Sequence, residues 1–156
     1  TARAVEEFNA MREREGEWLR QDMLAKLDTI EKYVSIVEER SPQTVKEYRE
    51  RLEARLREVL ADRSLDEQRV ITEVAIFADR TAVDEETVRL RSHIAQFRAL
   101  LQEGSPILRK PDFLVQELNR EMNTIGSKCS DAYLAQVVVD LKSELEKIRE
   151  QIQNVE

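Results

Sequence analysis

Three features of this chain predict an all-α fold built from long helices. Only 3 Gly and 3 Pro occur among its 156 residues. Charged side chains make up 37% of the sequence and aromatic ones 5%, a balance typical of long helices with solvated outer faces. Apolar residues recur at steps of three and four, the spacing that lines one stripe of a helix. The expectation is a single helical domain over residues 1–156, with about six helices in long hairpins and coiled-coil-like packing. A chain of this length can bury a core.

The first helix is expected from about Ala4 to Glu39, with Met23, Leu27, Ile30, Val34 and Val37 forming a heptad seam. Gly16 interrupts its earlier half at about 1 kcal/mol relative to Ala, and suggests a kink or a close helix crossing. Ser41-Pro42 reads as an N-cap followed by Pro at the first helical position. A second helix then runs to about Ala61, with Val45, Tyr48, Leu52, Leu56 and Val59 inward. The short turn between the two predicts an antiparallel hairpin.

Ser64-Leu65-Asp66-Glu67 reads as a capping box opening a third helix to about Ala78. Asp84-Glu85-Glu86 opens a fourth, with three acids where the helix dipole favours them, and Gly104 stops it. Leu90, Ile94, Phe97 and Leu101 are its inward positions. A fifth helix is expected over Lys110–Lys128 with Leu114, Leu118, Met122 and Ile125 on one stripe. The last runs from about Asp131 to the end, its seam formed by Leu134, Val138, Leu141, Leu145, Ile148, Ile152 and Val155. That seam faces either the first helix or another subunit.

Several function classes are excluded. There is no Gly-rich phosphate loop, no Cys/His zinc spacing and no nucleophile elbow. The single histidine rules out a two-histidine ribonuclease mechanism within one copy of the chain. No apolar run approaches the roughly 20 residues that span a bilayer, so no membrane partner is expected. A lone Cys129 forms no internal disulfide, and a cytoplasmic location is expected. The net charge of −7 opposes a nucleic-acid partner at first sight. Yet between Asp84 and Lys128 seven acids meet seven bases, so the negative excess lies elsewhere.

Within Lys110–Lys128, Asn119, Asn123 and Thr124 are mediocre helix formers, so something besides helix stability favours them. Glu117 and Glu121 stand one turn apart on one face and repel unless a cation joins them. Lys128 and Arg120 would serve; so would a hard divalent ion such as Mg²⁺ or Mn²⁺, which prefers carboxylate oxygen. Glu86, Arg89 and His93 line the edge of the fourth helix. His93 is either a hydrogen-bonded histidine at the core boundary or a metal ligand or general acid/base. Glu73, flanked by apolar surface, reads first as a solvated edge acid. Arg109 and Lys110 are an exposed basic pair or a phosphate contact at a helix start.

The run Arg109, Lys110, Asp112, Phe113, Leu114, Gln116, Glu117, Asn119, Arg120, Glu121, Asn123, Thr124, Gly126, Ser127 and Lys128 resembles the C-terminal signature of the YicC/YloC family of endoribonucleases. Glu73–Phe97, Glu146–Glu156 and Arg14–Leu19 resemble it too. Pro111 and Cys129 depart from the pattern, where an apolar helix former and a small residue are expected. The resemblance implies cleavage of RNA phosphodiester bonds with a divalent metal, Mn²⁺ or Mg²⁺. It implies catalytic roles for Glu117, Glu121, His93 and Glu86, and a metal held by Glu117, Glu121, His93 and Glu73. RNA contacts would come from Arg89, Arg91, Arg109, Lys110, Asn119, Arg120, Asn123 and Lys128. It further implies a ring-like homo-oligomer, and that the chain is the C-terminal part of a longer protein whose N-terminal domain is absent here. Two alternatives stand beside it: a non-catalytic domain that clamps RNA and oligomerises, and a helical scaffold.

Overall fold

The seam of Met23, Leu27, Ile30, Val34 and Val37 is the axis on which the other helices assemble. In the computed structural model, which describes residues 2–61, 63–104 and 110–155, these five side chains are 0–5% exposed. The described residues form five α-helices: α1 (Ala2–Leu60), α2 (Glu67–Thr81), α3 (Asp84–Gln102), α4 (Lys110–Lys128) and α5 (Ala132–Val155). Helices α3 and α5 both pack on α1, and α4 packs between α3 and α5. The α5 seam from Leu134 to Ile152 is buried in the same core, as are Leu90, Ile94 and Phe97 of α3 and Leu114, Leu118, Met122 and Ile125 of α4. Helix α2 packs on α1 as well, where the Phe77 ring stacks on Tyr48 at 3.9 Å between centroids.

The expected break at Ser41-Pro42 is absent. Helix α1 continues through Pro42 for 59 residues, so the first hairpin is not formed and five helices are described rather than about six. Its path is close to 90 Å long at about 1.5 Å per residue. An interior Pro costs about 3 kcal/mol through its missing N–H and a clash with the preceding turn. Each buried Val, Leu or Ile contributes about 1.5–3 kcal/mol, and the seam before Pro42 supplies four of them besides Met23. Polar ties bracket the Pro as well. The Thr44 hydroxyl donates to the Ser41 carbonyl at 2.7 Å. Arg40 donates to Glu47, beyond the Pro, at 2.7 and 2.9 Å, and to Asp131 at 2.7 and 3.0 Å. Asp131 in turn accepts from the Leu134 N–H at 2.8 Å and caps α5. One guanidinium therefore joins both sides of Pro42 to the start of another helix.

Other boundaries differ in smaller ways. Asp66, not Ser64, caps α2 by accepting from the Gln68 and Arg69 N–H groups. Val83 begins α3 without a side-chain cap, and its carbonyl accepts from the Thr87 N–H. Helix α4 spans the expected Lys110–Lys128, and Pro111 lies in its first turn, where a missing N–H is harmless. The close crossing suggested at Gly16 is absent: a Cβ there would meet nothing within 4 Å. It occurs at Gly126, where a Cβ would lie 3.3 Å from Val138 on α5. Val59, expected inward, is 73% exposed, and the expected inward role of the Val155 side chain lies outside the described residues. No described helix is long and apolar enough to cross a membrane.

Pro42 is exposed, so Pro42→Ala is expected to raise stability by about 1–3 kcal/mol in urea unfolding. Arg40→Ala is expected to lower it, since it strips charged hydrogen bonds from Glu47 and Asp131. A Pro42→Ala protein that is less stable would show that the packing requires a bend at this point.

Candidate metal centre

Helices α3 and α4 carry their polar residues one step before fully buried ones: His93 before Ile94, Glu117 before Leu118, Glu121 before Met122. A step of one residue is about 100° round a helix, so each of these side chains leaves the backbone at the rim of the core. Packing α3 on α4 brings the two rims together. One ring nitrogen of His93 and one carboxylate oxygen each of Glu117 and Glu121 lie within 4.8 Å of one another. Glu121 is only 5% exposed, and His93 and Glu117 are half-buried.

The donors fit a divalent ion. His93 Nδ1 is buried without a hydrogen-bond partner among the described residues, a condition that normally costs free energy. One imidazole nitrogen with two carboxylate oxygens suits Mn²⁺ and, less well, Mg²⁺, which favours oxygen alone. Two carboxylates this close also need positive charge between or beside them.

Part of that charge comes from a chain of ion pairs. Arg89 Nε lies 2.9 Å from Glu121 Oε1, and the same guanidinium donates to Glu86 at 3.4 Å. Lys128 Nζ donates to Glu86 Oε1 at 2.8 Å. Glu86 is 4% exposed, and its second oxygen is buried with no partner among the described residues. Burial pushes its carboxyl up, but the hydrogen bond from Lys128 and the charges of Lys128 and Arg89 outweigh it, and the net shift is below the ordinary value. The expected neutralisers of Glu117 and Glu121 are thus replaced: Lys128 serves Glu86, and Arg89 serves Glu121. Among the described residues Glu117 makes no ion pair.

The chain matches the family described as endoribonuclease YicC-like, C-terminal, over residues 37–156, which include every residue of the cluster. The chain belongs to that family. It is 47% identical over 154 residues to the probable endoribonuclease YicC of Clostridioides difficile (strain 630), covering 98% of this chain and 53% of that protein. It is 41% identical over 150 residues to the probable endoribonuclease YicC of Haemophilus influenzae (strain ATCC 51907 / DSM 11121 / KW20 / Rd), covering 96% and 52%. The chain spans about half the length of these curated relatives.

Not every residue singled out from the YicC-like pattern meets at this centre. Glu73 is exposed on α2 and takes no part in the cluster. Arg91 turns to α1, where it donates to Glu38 at 2.6 and 2.8 Å and to Ser35 at 3.0 Å. Asn119, Arg120 and Asn123 are exposed on α4, with Asn119 on the flank facing α5. Arg109 and the Lys110 side chain lie outside the described residues. The Arg89–Glu121 pair was not foreseen, although both residues were singled out; the partner is on another helix, and no spacing in the sequence reports that.

Glu86, with its depressed folded value, adds stability above its unfolded value near 4.5 and loses it as pH falls through the folded one. Lys128→Met is therefore expected to lower stability by about 1–3 kcal/mol at neutral pH. The loss should shrink toward pH 3, as Glu86 takes up its proton. Urea titrations at both pH values check this; a loss independent of pH would mean that the Lys128 stem, not its charge, matters.

Proposed function

We propose that this chain carries the divalent-metal centre of an endoribonuclease, with His93, Glu117 and Glu121 as the protein ligands. The observation that carries the reading is the convergence of these three side chains from two helices, and the His93 ring has a buried Nδ1 without a partner among the described residues. Both relatives are described as probable endoribonucleases, which supports RNA as the substrate. A bound Mn²⁺ or Mg²⁺ would supply Lewis-acid charge at a phosphoryl oxygen and a water acidified toward hydroxide.

The other roles belong to the chain's own residues. Glu117 is the least committed carboxylate and is free to move toward a ligand. Glu121 is buried and held by Arg89. The Arg89 side chain is 44% exposed, so it can turn from Glu121 to a phosphate of the RNA. Glu86 acts as a positioning residue: it pairs with Arg89 and Lys128 and keeps both cations at the rim of the site.

The match to only about half of each relative supports a second reading. In it this chain binds RNA and metal, while the remaining half of such longer proteins completes the active site. Cleavage of a labelled RNA in Mn²⁺, Mg²⁺ or EDTA, with Mn²⁺ binding measured alongside, separates the two. Loss of a residue that merely supports a metal ligand typically costs 10–100-fold in affinity. Glu117→Gln, which removes a ligand, is expected to weaken Mn²⁺ binding by more than about 100-fold and to abolish metal-dependent cleavage. Unchanged Mn²⁺ binding would overturn the proposed centre, and RNA binding without cleavage would favour the second reading. Arg89→Ala is expected to tighten Mn²⁺ binding several-fold, because Glu121 loses a competing cation, and to weaken RNA binding in the same assay.

A further inference from the structure

The flank of α4 turned away from the carboxylates forms, with α5, a groove of about 660 Å³. This is within the roughly 300–1,000 Å³ of small-molecule sites. At about 100° per residue, Asn119 stands some 200° round the helix from Glu117, so the groove is separate from the metal centre. Its floor is apolar, with Val115 and Leu145 at 5% and 3% exposure. Gln116 and Asn119 with the acidic Asp112 line one wall, and Lys142 and Arg149 with Glu146 the other, so two bases meet two acids.

These groups are largely uncommitted. The Gln116 and Asn119 amides are exposed and make no hydrogen bond among the described residues. Lys142 makes no ion pair among them either, whereas Arg149 lies 3.6 Å from Glu146. Asn119 is a mediocre helix former placed in the middle of a 19-residue helix, and the fold draws no packing from it. Free amides above an apolar floor are what recognition of an unstacked nucleobase requires. Each amide offers a donor pair and an acceptor to the base edge, and the floor covers the base face. A neighbouring lysine then meets the backbone phosphate.

We propose that the α4–α5 groove is a base-recognition subsite for single-stranded RNA, with Gln116 and Asn119 reading the base and Lys142 holding its phosphate. The proposal rests on the RNA reading of the metal centre. The two sites share α4, and Arg120 stands exposed on the ridge between them, with Asn123 on the same flank as Asn119. The separation is one helix width, about 10–12 Å, the span of a few nucleotides. A strand crossing that ridge would place a chosen base in the groove while a phosphate lies at the carboxylates. The groove thereby sets which bond is presented for cleavage.

The test is equilibrium binding of labelled eight-residue oligo-A, oligo-C, oligo-G and oligo-U RNA in EDTA, which separates recognition from cleavage. The protein is expected to prefer one base by about 5- to 100-fold, the discrimination a paired amide contact gives. Gln116→Ala/Asn119→Ala should bring the four affinities within about two-fold of one another, with thermal unfolding unchanged because both side chains are exposed. Lys142→Ala should weaken all four alike and lower the salt dependence by about one phosphate contact. A base preference that survives the double substitution overturns the subsite but leaves the metal-centre reading intact. Failure of the unsubstituted protein to bind any of the four, in EDTA or with Mn²⁺ added, overturns the subsite and the RNA reading on which it rests. Loss of self-association in the double variant with base preference retained would make the groove a contact between copies, and overturns the proposal.

Discussion

Burial of the α1 seam is the constraint on which the rest of the molecule depends. Met23 to Val37 present a continuous apolar stripe that α3 and α5 cover, and α4 is then held between those two. Nothing in α4 contains its polar flanks by itself; the flanks face where they do because Leu118, Met122 and Ile125 are fully sequestered. His93, Glu117 and Glu121 inherit their positions from this packing, each one step along the helix from a core side chain. A shift of α3 against α4 by one residue would turn His93 or Glu121 away by about 100° and dissolve the cluster.

Charge is arranged around that core with few spare partners. Glu86 and Glu121 are both nearly inaccessible to solvent, and each is matched by a cation that also reaches the rim. A buried carboxylate without a partner carries a desolvation penalty of several kcal/mol, so Lys128 and Arg89 stabilise the fold before any ligand arrives. Glu117 and His93 are left over. The contrast between paired and unpaired groups within a few ångströms marks the centre better than the number of acids does. The negative excess behind the net charge of −7 lies outside Asp84–Lys128, where seven acids meet seven bases.

Helix α4 is used on two sides. One side presents carboxylates toward α3, and the other presents amides toward α5, with Arg120 exposed between them. Asn119 is a mediocre helix former that neither the core nor the ion-pair chain uses. Gly126, by contrast, is explained by packing alone, since Val138 occupies the space a side chain would take.

The sequence by itself determined the all-α class, the two long seams, the span of α4 and the family, because apolar periodicity and signature residues are local and one-dimensional. It also placed Glu117, Glu121 and His93 among the candidates for one site. Tertiary structure decided what local signals left open or misread. Ser41-Pro42 has the chemistry of a helix start, but the Arg40 ties to Glu47 and Asp131 and the packing of α2 at Tyr48 outweigh the Pro, and α1 runs on. Glu73 and Arg91 look like site residues in the family pattern; packing sends Glu73 to solvent and Arg91 to Glu38. The partners of Glu86 and Glu121, and the groove beneath Asn119, depend on which helices lie side by side. Helix pairing is set by the total apolar area that can be buried at once, a property of the whole chain that no single stretch of it contains.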